Sequence, residues 1–262
     1  MKESVNNNSP DPWHFVKAGM FDRAIQEYTR LFREKNDLTN LRNRGLVYLF
    51  LRDYTSALTD FNQVISLEEP NFISDMDYIL QGVCHWYLNH PDQAIKTWEK
   101  SINTPFTDAA GGVKSPALLL YAGTRLSDGE LKRKSIQLLR RKWQNYQRRI
   151  KRRETRYTHT HSDFVYEGLS GWPGVIVPFL LGKARVDEIE TVLENIQNKS
   201  LEARWRCQAD FYIGLKALID GDKDAFQTRM HLSSESKFGY LEHEYYLARW
   251  ELERGFSDQP FG

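Results

Sequence analysis

The sequence predicts an all-α chain of stacked helical hairpins, a solenoid whose C-terminal repeats are degenerate. Three observations predict it: a pattern recurring every 33 to 37 residues, helix-stopping residues between its halves, and no sustained polar–apolar alternation of the strand type. At 262 residues, 40% hydrophobic and 27% charged, the chain can bury a substantial core and does not have the composition of a disordered tail.

The repeat is carried by glycine, alanine and aromatic residues at fixed offsets. Gly45, Tyr48, Ala57 and Phe61 recur 37 residues later as Gly82, His85, Ala94 and Trp98. Ala24 and Tyr28 give the same alanine-to-aromatic step 33 residues before Ala57 and Phe61, and Gly123, Ser135 and Leu139 reproduce the offsets downstream. A small residue lets two antiparallel helices approach closely, and a large one a turn later fills the space beside the contact. Polar turns such as Leu51-Arg52-Asp53-Tyr54 and Asn89-His90-Pro91-Asp92 separate the helices, and Pro70 and Pro105 end the second helix of each pair. A hairpin cannot bury its apolar face alone, so neighbours must stack.

This pattern resembles the tetratricopeptide repeat (TPR) family. Gly45, Tyr48, Ala57, Phe61 and Pro70 fall on the family's helix-A glycine and tyrosine, helix-B alanine and aromatic, and terminal proline, with Pro70 one position late. The second copy departs at His85, and the first lacks the helix-A glycine. The resemblance covers about residues 13–105 and extends more weakly to about 146. It implies a protein-binding scaffold or adaptor.

Four stretches follow from this reading: a flexible N-terminus over 1–12, TPR-like repeats over 13–105, a degenerate repeat with a long helix over 106–156, and helical hairpins packed on the same solenoid over 157–262. The Gly111-Gly112 pair breaks the register with a loop, after which helices are expected over 116–126 and from 128 towards 156. Pro173 suits the first turn of a further helix, in which Pro178 predicts a kink or a later start. From Val186 to Glu253 helical spacing resumes, with a Gly-Asp turn at Gly221-Asp222 and a closing helix rich in Glu and Tyr. That last part resembles the bacterial NlpI-like TPR proteins over about 50 residues, but this chain has no lipid-attachment signal of the kind that tethers the NlpI lipoprotein.

No apolar run reaches the roughly 18 residues of a membrane span, and the N-terminus has no apolar leader core, so a cytoplasmic location is expected. Cys84 and Cys207 fall within helices and read as buried reduced thiols. No phosphate-binding loop, dinucleotide fingerprint, zinc-protease motif or nucleophile elbow occurs. His159 and His161 lack the further ligands zinc needs, and Glu242, Glu244 and Glu251 read as ordinary solvated residues. The chain is therefore expected to be non-catalytic, with no cofactor or metal.

Two surfaces are candidates for a partner. The first is the groove lined by first helices, where the resemblance implies that Arg42, Leu46, Leu49, Met76, Ile79, Val83 and Trp86 face outward, to be covered by a partner or by the chain's own later helices. The second is the helix over 130–156, which holds twelve Lys or Arg and two Glu, leaving −9 on the remainder of a chain whose net charge is +1. Its Lys132, Arg133, Arg140, Arg141, Arg148, Arg149, Arg152 and Arg153 back an apolar stripe of Ile136, Leu139, Trp143, Tyr146 and Ile150. An acidic protein face is the expected partner, and an immunity protein neutralising a toxin is one form of that expectation. Nucleic-acid binding by the basic helix is the alternative from another class.

Overall fold

The physical contact that the repeat predicts is present in the computed structural model, which describes residues 11–70, 72–108, 112–153, 171–194, 196–258 and 261. A Cβ placed on Gly45 would lie 2.9 Å from Phe61 Cε1, and one on Gly82 would fall inside the Trp98 indole. Each glycine is therefore the point where one helix of a hairpin touches the aromatic of the other. Gly214 meets the Met230 methyl in the same way, sixteen residues apart like Gly45 and Phe61. The spacing thus recurs in the hairpin expected around the Gly221-Asp222 turn, with methionine in place of the aromatic. Gly123 instead meets the backbone N of Lys132 at 2.9 Å, so the third copy keeps its close approach with a different neighbour.

The described residues form two compact units, 1–68 and 69–262, and contain no strand. In the first, α1 (Trp13–Lys17), α2 (Phe21–Lys35), α3 (Leu38–Phe50) and α4 (Tyr54–Leu67) follow one another. Phe15, Val16, Ala24, Tyr28 and Val47 form a core cluster there, with Trp13, Phe21 and Ile25 against it. Asp60 is buried but holds the Arg44 guanidinium through two contacts of 2.5 and 2.8 Å, and Arg44 also donates to Thr29 Oγ1 at 2.7 Å. This ties α2, α3 and α4 together.

The second unit contains α5 (Asp75–Tyr87), α6 (Pro91–Ser101), α7 (Lys114–Arg125), α8 (Gly129–Arg153), α9 (Ile176–Leu180), α10 (Val186–Glu194), α11 (Lys199–Asp220), α12 (Lys223–Ser234) and α13 (His243–Glu253). The pairs α5/α6, α7/α8 and α11/α12 are hairpins, and α9 starts three residues after Pro173 with Pro178 inside it. Helix starts follow capping chemistry: Asp53, Asn198 and Asp222 side chains accept from backbone N–H groups of the first turn, and Ser74 with Asp77 forms a reciprocal capping box. The turns are repeated too, since Arg52 and Asn89 both take left-handed backbone at φ 64° and 65°. Both cysteines are free and buried, and no helix among the described residues is long and apolar enough to cross a membrane.

The last helix decides what becomes of the inner face of α5. Tyr87 Oη donates to the Tyr246 carbonyl at 2.6 Å, so α13 returns across 159 residues of sequence to lie on α5. Trp86 is fully buried among Trp98, Tyr121 and Trp250, each ring 5.4 Å away, and Phe261 at 4.7 Å. The expectation of an outward-facing apolar groove is corrected here: Ile79, Val83 and Trp86 are core residues, as is Leu49 in the first unit. Met76 and Leu46 are half-buried, and Arg42 pairs with Glu68 at 2.8 Å. On α5 the physical reason is that closure by α13 removes the apolar face from water within the chain itself.

The carboxylates of the closing segment are corrected in the same way. Glu242, Glu244 and Glu251 are at most 2% exposed. Glu242 accepts from Arg204 Nε at 2.5 Å and from the Gln208 amide, Glu244 accepts from Tyr212 Oη at 2.8 Å, and Glu251 sits 2.8 Å from Arg125 Nε and accepts from Tyr121 Oη at 2.5 Å. They hold α13 in place, as buried charges do when their partners are supplied.

Candidate protein-binding surface on the basic helix

With the inner face of α5 closed, the exposed face of α8 is the second of the two candidate surfaces. The helix begins at Asp128, whose Oδ1 accepts from the backbone of Glu130 and Leu131 at 2.9 and 3.0 Å. Leu131, Ser135, Leu139 and Tyr146 are buried, and Ser135 returns its hydroxyl to the Leu131 carbonyl at 2.7 Å. These positions recur at helical spacing and fix which side of α8 faces the hairpin.

At roughly 100° per residue, Arg133, Arg140, Arg141 and Arg148 fall in one sector opposite Leu139, and all four are exposed. Among the described residues no carboxylate lies within ion-pair distance of any of them, whereas Lys134 on the same helix pairs with Glu99 at 2.5 Å. Lys132 is half-buried. The side chains of Arg149, Arg152 and Arg153, like His159 and His161, lie outside the described residues. Lys142 is turned inward, and its burial pushes its pKa down while Asp108 and Asp75 act against that. Arg133, Arg140, Arg141 and Arg148 therefore share one exposed sector of α8, and Lys142 lies apart from them.

A cleft that the sequence did not reveal opens where the aromatic end of α8 meets α9 and α10. Its volume is about 330 Å³, with Trp143 and Tyr146 on one wall and Val175, Pro178 and Val192 among the others. The two rings stand 5.6 Å apart, with Trp143 half-buried. Lys183 and Glu188 line its rim and are exposed, and Glu188 Oε1 accepts from the Arg185 backbone at 2.9 Å as an N-terminal contact of α10. Trp143 and Tyr146 were legible as stripe residues. The opposing wall was not, because it comes from a part of the chain with no matching spacing.

No family model matches the chain. A curated relative, a probable cell division protein WhiA from Streptococcus gordonii, is 26% identical over 92 residues, which span 35% of this chain and only 30% of that protein. Among solved structures, the chain is similar to the C-terminal part of a TPR repeat-containing protein from Cytophaga hutchinsonii, at 15% identity and TM-score 0.40, covering 86% of this chain and 77% of that one. It is likewise similar to a tetratricopeptide repeat protein from Parabacteroides merdae, at 17% identity and TM-score 0.40, covering 91% and 81%. The helical-hairpin description of this chain rests on its own glycine–side chain contacts.

Proposed function

We propose that this chain is a non-catalytic protein-binding scaffold or adaptor that recognises an acidic protein surface through the exposed arginines of α8. The observation that carries this reading is the sector of Arg133, Arg140, Arg141 and Arg148, which has no carboxylate partner among the described residues. Like charges held on one rigid face repel each other, and an opposing field relieves that repulsion while steering a partner towards it. An inhibitor of an acidic effector, such as an immunity protein, would use the same surface. The two buried reduced thiols suit a cytoplasmic setting.

The test is recovery of partners from the native host by the wild-type chain and by Arg140→Glu/Arg141→Glu/Arg148→Glu, followed by affinity measurement on the recovered protein. The expected result is an acidic partner whose affinity falls at least tenfold in the variant and weakens with salt. An affinity unchanged by the reversal removes α8 as the recognition surface. Tight, salt-dependent binding of duplex DNA or RNA with no protein partner would replace this reading by a nucleic-acid one.

A further inference from the structure

We propose that the cleft between α8, α9 and α10 is an anchor pocket for one aromatic or branched aliphatic side chain, carried on a peptide segment of the partner with an acidic residue next to it. This rests on the basic-face reading above and adds where an apolar residue of the partner goes. The floor is apolar and concave, with Tyr146, Val175 and Pro178 buried and Trp143 and Val192 half-exposed, so a side chain entering it gains contact on several sides. A volume of about 330 Å³ lies at the low end of ligand pockets, suited to one large side chain.

The surroundings fix the charge of the flanking residues. Lys183 stands exposed on the rim, and Arg140 precedes Trp143 by one turn of α8, whereas Arg148 points away from Tyr146, about 200° round the helix. Glu188 is the rim's carboxylate and is engaged at the start of α10. A segment whose anchor enters the cleft therefore meets Lys183 on the rim and Arg140 beside Trp143, which favours Asp or Glu next to the anchor. A membrane surface is a poorer match, since insertion needs protruding apolar side chains. The exposed large hydrophobics among the described residues, Met20, Leu51, Leu67, Phe72, Phe106 and Leu232, all lie off α8, α9 and α10.

The experiment selects a phage-displayed library of random dodecapeptides on the full chain, then measures synthetic versions of the enriched peptides against variants. Val192→Glu places a charge in the cleft, and Thr191→Trp, made at an exposed lining position, blocks it without touching the core. Thermal melts of both variants establish that the fold is kept. The expected result is acidic peptides with one Phe, Trp, Leu or Ile, losing at least tenfold in affinity to either cleft variant and to the triple arginine reversal. Replacing the apolar residue of the peptide by Ala should cost a similar factor.

Peptides that bind both cleft variants as tightly as wild type but fail on the arginine reversal would overturn the pocket and leave the basic face standing. Peptides indifferent to the arginine reversal, or no enrichment, would overturn both. Concentration-dependent self-association abolished by Thr191→Trp would assign the cleft to a second copy of this chain and overturn the peptide proposal.

Discussion

Trp86 and Trp98 lie 5.4 Å apart in the same buried cluster, and neither has exposed surface. Truncating either to Ala is expected to cost about 3–5 kcal/mol of stability, measured by denaturant unfolding followed by circular dichroism. Equal costs at both positions are the consequence of α13 lying on α5; a near-neutral Trp86→Ala would contradict that closure. The glycines make a sharper comparison. Trp98 is held by its Nε1–H, which donates to the Ile79 carbonyl at 3.2 Å, so Gly82→Ala meets a ring that cannot move aside and should cost about 1–3 kcal/mol. Gly214→Ala meets the flexible end of Met230 and should cost measurably less. Trp98 was legible as core from its offset to Gly82, whereas Trp86 was not, because the residue that covers it, Trp250, is far away in sequence.

Along α8, packing and charge are separable because they occupy different sides of one element. Reversing Arg140, Arg141 and Arg148 to Glu removes no buried contact, so the melting temperature should move by only a few degrees, the scale of surface substitutions within about 0.5 kcal/mol each. Leu139→Ala, on the buried side, should cost about 2–5 kcal/mol. A reversal variant that melts as low as Leu139→Ala would show that the arginines serve the fold rather than a partner. The stripe and its basic back were both legible, since helical periodicity depends only on local spacing. The cleft beside Trp143 was not, because α9 and α10 reach it from beyond residue 170. A local signal did exist in α13, where Glu244, Leu247, Ala248 and Glu251 follow the spacing of a single buried face. Two carboxylates on an apolar stripe mark buried, partnered acids, a reading that outranks the polar look of the segment.

For the unit as a whole, those acids make stability depend on pH with a definite sign. Burial pushes the Glu251 carboxyl up to about 7, with Arg125 and Tyr121 opposing the shift, and burial raises Glu244 in the same direction against Lys114. An unfolded carboxyl releases its proton near 4.5, so between that pH and about 7 the folded chain holds the extra protons. The stabilisation is complete below 4.5 and is lost as pH rises through 7, by up to about 1.4 kcal/mol per pH unit for each such group. His243 acts oppositely: burial holds its pKa well below 6.5, so it opposes folding as pH falls through that value. Above 6.5 the unfolded histidine is more than half neutral, and its opposing contribution fades as pH rises while the two carboxyls outweigh it. Thermal melts from pH 6.5 to 8 are therefore expected to fall in wild type. Glu251→Gln, which resembles the protonated carboxyl, should show a shallower fall and gain on wild type as pH rises through 7. A Glu251→Gln profile parallel to wild type would mean that Glu251 is ionised throughout, held by Arg125 strongly enough to outweigh its burial.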